Sequence, residues 1–359
     1  MTRILVTGGM GFIGSAVIRR YLDKPGVSVV NVDKVTYAAS EETLRFAEVN
    51  AAYIHERHDI CDAAEMHRII DEHRPDAIMH LAAETHVDRS IGDPSDFIQT
   101  NVVGTYNLLD AAYAYWQTLA APEQDAFRFH HVSTDEVYGS LGDTGLFTEQ
   151  TPYDPNSPYA ASKASADHLV QSWHRTYGLP TIITNCSNNF GPYQFPEKLI
   201  PVIIMKALTG QPVPIYGDGQ NVREWLYVDD HADALISVLK SGRTGETYNI
   251  GSSAERTNID IARKVCELID EIVAEPAARP REELITFTTD RPGHDFRYAL
   301  DSTKIQAELG WEPAHSFDES LRLTVKWYLD NMDWCKNAMT GKYSGERLGL
   351  SRNASGDTT

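Results

Sequence analysis

The chain has 359 residues, of which 42% are hydrophobic and 23% are charged, as is typical of a soluble globular protein with a full core. Its 51 acidic residues outnumber the 32 basic ones, and the net charge of −19 disfavours a broad surface for nucleic acid or anionic membranes. The four cysteines lack metal-binding and disulfide-framework spacings, so we expect no metal and a cytoplasmic location. The sequence has no apolar run that approaches the roughly 18 residues needed to span a bilayer.

The first half of the chain alternates short apolar runs with helical patterns. Strands are predicted at residues 4–7, 27–33, 77–81 and 129–133, and helices at residues 12–22, 97–116 and 159–177. Strands that alternate with helices indicate βαβ units, and right-handed crossovers then place helices on both faces of one parallel sheet. We therefore predict an α/β fold built on a Rossmann-like, doubly wound parallel sheet.

The second half of the chain differs, because proline and glycine become frequent after residue 186. A strand–helix–strand pattern returns at residues 223–250, followed by an amphipathic helix at 259–273 and a strand at 285–288. We predict a dinucleotide-binding domain over residues 1–188, to which residues 222–251 return, and a smaller C-terminal substrate-binding lobe over 189–350. Residues 351–359 are polar, and we expect a disordered tail there.

Three glycines, Gly8, Gly11 and Gly14, lie between the first predicted strand and the first predicted helix. This is the place where a dinucleotide site needs a tight turn, a close approach of the backbone to a pyrophosphate and a helix N-terminus. Asp33 ends the second predicted strand, 19 residues beyond Gly14. A carboxylate there accepts hydrogen bonds from a ribose and repels a 2′-phosphate, so the pattern favours NAD over NADP. The alternative is a surface aspartate at the end of a strand.

Tyr159 and Lys163 are four residues apart, which places both side chains on one face of a predicted helix. A lysine cation beside a phenol favours the phenolate and lowers the pKa of the phenol. Such a pair can take a proton from a hydroxyl group while a hydride leaves the same carbon. Ser133 and Thr134 end a predicted strand, where a hydroxyl can hydrogen-bond the substrate oxygen; a strand-end cap is the simpler alternative.

Two consecutive carboxyl groups, Asp135 and Glu136, follow Thr134 at the end of the same predicted strand. Active-site residues of open α/β sheets collect at such strand ends. Oxidation of an alcohol needs no acidic pair, whereas elimination of water needs one group to remove a carbon-bound proton and another to protonate the departing hydroxyl. Two carboxyl groups can divide these roles if their surroundings separate their pKa values.

Seven segments resemble the motifs of one family; they are residues 7–14, 133–139, 157–163, 185–189, 195–201, 291–295 and 345–349. They run nearly from end to end of the chain and are similar to the dTDP-glucose 4,6-dehydratases of the extended short-chain dehydrogenase/reductase family. Simple epimerases of that superfamily usually lack the acidic pair after the Ser-Thr position. The resemblance is therefore to an NAD-dependent hydro-lyase rather than to the fold alone.

The resemblance implies conversion of dTDP-glucose to dTDP-4-keto-6-deoxyglucose, in deoxysugar biosynthesis. It implies that Tyr159, helped by Lys163 and Thr134, takes the proton of the C4 hydroxyl while hydride passes to NAD. It further implies that Glu136 removes the C5 proton and that Asp135 protonates the C6 hydroxyl as it leaves. The hydride then returns to C6, so that NAD is regenerated.

The resemblance also implies which residues hold the two ligands. The cofactor contacts are Gly8, Gly11, Phe12, Ile13, Gly14, Asp33, Lys34, Thr36, Asp59, Ile60, Leu81, Ala82, Ala83, Thr100, Ser133, Tyr159, Lys163 and Asn188. The substrate contacts are His86, Ser90, Thr134, Asn188, Glu197, Lys198, Leu199, Pro214, Ile215, Tyr216, Arg223, Asn258, Arg291, His294 and Tyr298. Of these, Arg223, Arg291 and His294 are the expected clamp on the anionic group, since a guanidinium suits phosphate. Surface salt bridges are the alternative for the arginines.

Three other functions remain open from the sequence. A 4-epimerase is disfavoured by the acidic pair, and a GDP- or UDP-sugar dehydratase would differ in the base-reading segment at residues 214–217. A non-catalytic dinucleotide sensor on the same fold would be expected to lack Tyr159 or Lys163. By analogy with the superfamily, the helices at 97–116 and 159–177 pair across a homodimer as a four-helix bundle, although both helices can equally pack within one chain.

Overall fold

The structure is a computed structural model that describes residues 2–273, 280–290 and 292–340. Its strands are β1 (Thr2–Thr7), β2 (Val27–Val32), β3 (Tyr53–Glu56), β4 (Ala77–His80), β5 (Arg128–Thr134), β6 (Thr181–Cys186), β7 (Asn188–Phe190), β8 (Val213–Tyr216), β9 (Val222–Tyr227), β10 (Thr247–Ile250), β11 (Glu255–Thr257) and β12 (Ile285–Thr288).

The helices follow the strands in alternation through the first half. They are α1 (Phe12–Leu22), α2 (Ala63–His73), α3 (Val87–Gly92), α4 (Ser95–Phe97), α5 (Thr105–Gln117), α6 (Ala121–Ala126), α7 (Pro158–Tyr177), α8 (Leu199–Leu208), α9 (Val228–Ser241), α10 (Asn258–Ile272), α11 (Thr303–Leu309), α12 (Phe317–Asp330) and α13 (Met332–Met339). Short 3₁₀ segments occur at Glu41–Val49, Asp135–Tyr138 and Arg281–Leu284, and a π-helical segment at Ile98–Gly104.

Seven strands form one large sheet in the order β3-β2-β1-β4-β5-β6-β10, and every neighbouring pair is parallel. All residues of β4 and β6 are buried, which is typical of parallel strands with both faces covered. The order runs outward from β1 in both directions, so the chain reverses its winding between β1 and β4. The predicted Rossmann-like, doubly wound sheet is confirmed.

Two apolar layers cover the faces of the large sheet. On one face α1 packs against α9, and buried side chains such as Val17 and Leu235 join the core there. On the other face α2, α5 and α7 bring in side chains such as Ile69, Leu108 and Val170, all fully buried. Each such side chain stabilises the fold by roughly 1.5–3 kcal/mol relative to an exposed position. The sheet is therefore a rigid platform for residues at its strand ends.

A further apolar cluster lies in the C-terminal half. It surrounds the three-stranded sheet β11-β9-β7, which has one antiparallel and one parallel pair, and the two-stranded sheet β12-β8. Helices α8, α10 and α12 pack around it and bury residues such as Ile203, Val265 and Val325. Within the segment 222–251, β9 belongs to the three-stranded sheet, whereas α9 and β10 join the large sheet. The division of the chain at residue 188 stays a prediction.

Some predicted features differ in detail from the structure or cannot be compared with it. The helical stretch expected at 97–116 is interrupted by the π-helical segment, whose Asn101 side chain donates to the Glu84 carbonyl and to the Ser162 hydroxyl. The motif at 345–349 and the tail at 351–359 lie outside the described residues. In the described part of the chain, no helix has the length and apolar character needed to cross a bilayer.

Candidate active site

A long cleft opens at the carboxyl ends of β1, β4, β5 and β6, the edge where ligands of open α/β sheets bind. It brings together every residue predicted to contact the cofactor and the whole predicted catalytic set. Those residues are Gly8, Gly11, Phe12, Ile13, Gly14, Asp33, Lys34, Thr36, Asp59, Ile60, Leu81, Ala82, Ala83, Thr100, Ser133, Thr134, Asp135, Glu136, Tyr159, Lys163 and Asn188.

The glycine-rich turn leaves no room for larger residues. Gly8 has φ +73°, and a Cβ there would come within 2.7 Å of the Ala82 backbone. Helix α1 starts at Phe12 and has Gly11 as its N-cap, so no side chain occupies its first amides. Free N–H groups at a helix N-terminus attract anions. The turn therefore fits the pyrophosphate of a dinucleotide.

The Asp33 carboxylate is fixed at the end of β2 by backbone amides of Met10 at 2.9 Å and Val35 at 2.7 Å. Burial raises the pKa of Asp33, and these two hydrogen bonds oppose the shift. Beside it, the Lys34 ammonium lies 3.2 Å from the Asp59 carboxylate. A buried, hydrogen-bonded carboxylate at this place suits a ribose diol and disfavours a 2′-phosphate.

Tyr159 lies in the first turn of α7, a helix that begins with Pro158 and is capped by the Ser157 side chain at 3.0 Å from the Ala160 amide. Burial raises the pKa of the Tyr159 phenol well above its usual range, and the Glu136 charge adds to this; a hydrogen bond with Thr134 opposes it. The Tyr-Lys spacing predicts a lowered pKa for this phenol. In the structure the pKa of Tyr159 is instead raised.

Lys163 lies one helical turn further along α7 and is also buried. Its ammonium donates to the Val132 carbonyl at 2.9 Å. Burial lowers the pKa of Lys163, and the negative charge of Asp167 opposes the shift. This hydrogen bond anchors the lysine to β5.

Asp135 and Glu136 follow β5 in a single 3₁₀ turn that Thr134 caps by accepting the Glu136 amide at 3.3 Å. Asp135 is 2% exposed; one oxygen accepts from the Thr134 hydroxyl at 3.2 Å, and the other has no hydrogen-bond partner among the described residues. Burial, with the nearby charges of Glu136 and Glu224, raises the pKa of Asp135 well above its usual range. This direction of shift favours the protonated form of Asp135, the form that can donate a proton.

Two of the predicted substrate residues, Glu197 and Lys198, line the far end of the cleft. The Glu197 side chain is only 1% exposed and lies 3.3 Å from the Arg89 guanidinium; the Tyr37 hydroxyl donates to it at 3.3 Å. Lys198 is the N-cap of α8, and its ammonium donates to the Thr85 carbonyl at 3.2 Å. This cluster joins the loop after β2 to the segment that precedes α8.

Three other predicted substrate residues do not line this cleft. His86 is the N-cap of α3, with its ring 3.9 Å from the Glu197 carboxylate. Ser90 is fully buried and accepts a hydrogen bond from the Tyr159 backbone amide at 3.3 Å, so it supports the helix that carries the phenol. Leu199 is the first residue of α8.

The predicted base-reading segment forms β8, which holds Pro214, Ile215 and Tyr216. Ile215 is buried in the core of the C-terminal half. The Tyr216 hydroxyl donates to the Asp88 carboxylate at 2.9 Å, and its ring lies edge-on to the His294 ring at 6.4 Å between centroids. The segment therefore lies beside α3 and His294 rather than in the dinucleotide end of the cleft.

Arg223 and Tyr298 lie behind the acidic pair. The Arg223 guanidinium stacks 4.4 Å from the centre of the Tyr298 ring and donates to the Asp295 carbonyl at 2.9 Å. Burial and then the Glu136 charge raise the pKa of Tyr298, so the phenol lies near the carboxylate. Asn258 begins α10 with its amide oxygen buried and without a hydrogen-bond partner in the described part of the chain. Arg291 lies outside the described residues.

Several cleft residues were not predicted from the sequence. They are Val32, Ala38, Ala39, His58, Glu84, Thr85, Val132, Cys186, Ser187, Asn189, Gln194 and Phe195. Most of them are direct neighbours of predicted residues along the chain. Their position near the ends of strands was therefore the signal from which sequence analysis could have identified them. Gln194 follows a glycine- and proline-rich loop and offers no such signal.

The chain was also compared with known proteins. Residues 5–324 match the family model described as GDP-mannose 4,6 dehydratase. Over 355 residues the chain is 58% identical to a dTDP-glucose 4,6-dehydratase of Neisseria meningitidis serogroup B, a match that covers 98% of this chain and 100% of that protein.

Two crystal structures have the same fold. The dTDP-glucose 4,6-dehydratase of Bacillus anthracis in complex with NAD superposes with a TM-score of 0.83 at 41% identity, over 94% of this chain and 100% of that one. DesIV, a dTDP-glucose 4,6-dehydratase of Streptomyces venezuelae with NAD and TDP bound, gives 0.84 and 44% with the same coverage. The cleft, the near full-length identity and the shared fold agree, and the chain belongs to the dTDP-glucose 4,6-dehydratase family.

Proposed function

We propose that this chain converts dTDP-glucose to dTDP-4-keto-6-deoxyglucose, for deoxysugar biosynthesis, by oxidation at C4, loss of water across C5 and C6, and reduction at C6. The observation that carries the proposal is the buried carboxyl of Asp135, whose pKa burial raises, next to Glu136 and Tyr159 in one cleft. Loss of water needs a base for a carbon-bound proton and an acid for the departing hydroxyl, and two unequal carboxyl groups supply both.

Bound NAD would supply the hydride acceptor for oxidation at C4 and, once reduced, the hydride donor for C6. The residues present fit this cofactor, because the turn at Gly8 and the open N-terminus of α1 leave room and N–H groups for a pyrophosphate. Asp33 holds the adenosine ribose, and its carboxylate excludes a 2′-phosphate. Lys163 lines the same cleft and would hold the second ribose.

Tyr159 is the base for the C4 hydroxyl, and Thr134 orients that hydroxyl. A hydrogen bond between the phenol and the threonine supports this pairing, because both side chains can then reach one substrate hydroxyl. Because burial raises the pKa of Tyr159, the phenol holds its proton firmly in the free protein. A neighbouring positive charge in the complex favours the phenolate, and Lys163 is the residue of this chain that supplies one.

The two carboxyl groups divide the elimination. Oxidation at C4 makes the C5 proton acidic, and Glu136 removes it. Burial raises the pKa of Asp135 and so favours its protonated form, which donates its proton to the C6 hydroxyl as the hydroxyl leaves. The proton on Glu136 exchanges with solvent, and Glu136 then protonates C5 as C6 is reduced.

The nucleotide sugar is held by the residues predicted from the family. Lys198 and Asn188 bind the diphosphate from the cleft, and Arg223 and His294 neutralise it from the C-terminal half. Residues 214–216 contact the thymine. Relatives that are 54–58% identical to this chain over nearly their full length are dTDP-glucose 4,6-dehydratases, which supports this base over uracil or guanine.

We also propose that the protein is a homodimer and that it is cytoplasmic. The segment from Ser95 to Gln117 and helix α7 carry exposed aromatic side chains, with Tyr106 and Tyr177 each 46% exposed. The Tyr106 ring contacts Trp173 at 5.9 Å between centroids, so the exposed rings form one apolar face. Such a face on two adjacent helices suits a four-helix bundle between two chains. All four cysteines are free thiols, which fits a reducing compartment.

The substrate is tested by incubating the protein and NAD with dTDP-glucose, UDP-glucose and GDP-mannose separately. The rate at which each sugar nucleotide loses the mass of one water gives kcat/KM for that substrate. We expect dTDP-glucose to be preferred by at least about 100-fold, since a site built for one base leaves polar groups unpaired with another. Preference for GDP-mannose or UDP-glucose would overturn the assignment of the base.

A further inference from the structure

Asp167 is a charged residue that the proposed mechanism does not use. It lies on α7 four residues after Lys163, so the two side chains share a face of the helix. Its side chain is completely buried. One carboxylate oxygen lies 3.1 Å from Nε2 of His131, and the other accepts from the Ser133 hydroxyl at 2.8 Å and the Tyr153 hydroxyl at 3.0 Å.

His131 on β5 connects this carboxylate to the catalytic lysine. Its Nε2 atom is 3.4 Å from the Lys163 ammonium and 3.1 Å from Asp167. Burial, and then the charge of Lys163, lower the pKa of His131 well below its usual range, so the ring is neutral. It therefore adds no charge of its own between the two ionised groups.

The other groups that face Lys163 are also neutral. Burial raises the pKa of the Cys186 thiol on β6 to about 12, and burial lowers the pKa of the His80 ring on β4 well below its usual range. His168, beside Asp167 on α7, acts on the carboxylate and favours its ionised form. Among the described residues, Asp167 is thus the negative group that acts on this buried cation.

We propose that Asp167 is a positioning residue, a buried counter-ion that acts with His131 to keep Lys163 charged and fixed beneath Tyr159. The proposal rests on the role given to Lys163 in the proposed function. An uncompensated charge in such an interior is costly, so a lysine without this partner would lose its proton instead. Burial raises the pKa of Asp167 to about 6, which leaves it mainly ionised at neutral pH.

The sign of the effect follows from the charge. Without Asp167 the pKa of Lys163 falls, so the charged form is lost at a lower pH as the pH rises. An opposite charge within about 4–6 Å shifts such a pKa by about 1–3 units. In Asp167→Asn, the basic limb of the kcat/KM profile with dTDP-glucose should therefore move to lower pH by at least about one unit, while the acidic limb is unchanged.

Tyr153→Phe is the matched control. It removes one hydrogen bond to the same carboxylate and keeps the charge, so its profile should have the limbs of the wild-type profile. A uniform drop in activity for Asp167→Asn with both limbs unmoved would overturn the proposal, because a purely structural role scales the profile without shifting it.

A second measurement needs no turnover and therefore stands even if dTDP-glucose is not the substrate. The free energy of unfolding in urea at pH 8 is compared for the wild type, Asp167→Asn, Lys163→Met and the double variant. We expect Asp167→Asn to be less harmful in the Lys163→Met background than in the wild type. If Asp167→Asn alone does not fold, recovery of folded protein in the double variant is the same result. An equal effect in both backgrounds, or no recovery, would overturn the proposal.

Discussion

The fold buries the Asp135 carboxyl group and excludes water from it. Its side chain is enclosed by the end of β5, one of its oxygens lacks a protein hydrogen bond among the described residues, and two further carboxylates act on it. All three conditions favour the neutral acid. Glu136, the next residue, lines the same cleft. Two adjacent carboxyl groups can therefore have opposite roles, one as the acid and the other as the base.

Replacing Asp135 by asparagine should block elimination more than oxidation. The amide has no proton to give to the C6 hydroxyl, and loss of a general acid typically costs about 100- to 10,000-fold. Removal of hydride from C4 does not involve Asp135, so NADH should accumulate on the variant in a single turnover with dTDP-glucose. Rapid-mixing absorbance measurements follow NADH, and Glu136→Gln is the matched comparison. Equal loss of oxidation and elimination would contradict the division of roles.

The same substitution should stabilise the folded protein at alkaline pH. The pKa of Asp135 is raised in the folded state above its unfolded value of about 3.9, so folding takes up a proton and stability falls as the pH rises above that value. Asparagine has no such linkage. We expect Asp135→Asn to raise Tm by roughly 2 °C or more at pH 8 and by less at pH 5. A lower Tm at pH 8 with no pH dependence of the difference would show that Asp135 is not buried as an acid.

At the residue scale, the sequence predicts contacts that depend on neighbours along the chain. Thr134, Asp135 and Glu136 are consecutive, and Tyr159 and Lys163 share a helical face, so both groups were accessible to sequence analysis. The ion pair of Arg89 with Glu197 joins residues 108 positions apart, and no local pattern indicates it. The raised pKa of Tyr159 likewise depends on burial, which comes from the whole fold.

The glycine-rich turn and helix α1 act as one element, because the turn sets where the helix begins. A Cβ at Gly14 would lie 2.2 Å from the Gly8 carbonyl oxygen and 2.8 Å from the Gly9 Cα. Gly14→Ala should therefore displace the turn and reduce the NAD retained through purification by about tenfold or more. Bound NAD is measured by absorbance after denaturation. Gly142→Ala is the control, since a Cβ there meets nothing within 4 Å. Equal NAD content in all three proteins would contradict the assignment of the turn.

At the element scale, hydrophobic periodicity predicts a strand or helix but not its partner. Helix α1 begins and ends at the predicted residues 12 and 22, and the strand at 285–288 is also as predicted. The strand–helix–strand pattern at 223–250 was correct, yet β9 pairs with β7 and β11 while β10 pairs with β6. The choice of sheet depends on which edge is free after the earlier strands have paired, and a single sequence does not contain that information.

At the scale of the whole molecule, the aromatic face on the two proposed bundle helices is exposed in a single chain. Tyr106 is 46% exposed on this face, so Tyr106→Glu should place a charge in the proposed bundle and convert the proposed dimer to a monomer at micromolar concentration. Sedimentation equilibrium measures the change. Phe287→Glu is the control, because Phe287 is 60% exposed on β12, outside the bundle helices. A dimer that survives Tyr106→Glu but not Phe287→Glu would place the interface elsewhere.

The most direct test of the account is the mass spectrum of the product formed from dTDP-glucose and NAD in deuterated water. The account predicts loss of one water, a single solvent deuterium at C5 and no net NADH, because the hydride returns to the same sugar while C5 is protonated from solvent. An unchanged mass with C4 inverted would mean an epimerase and would contradict the roles of Asp135 and Glu136.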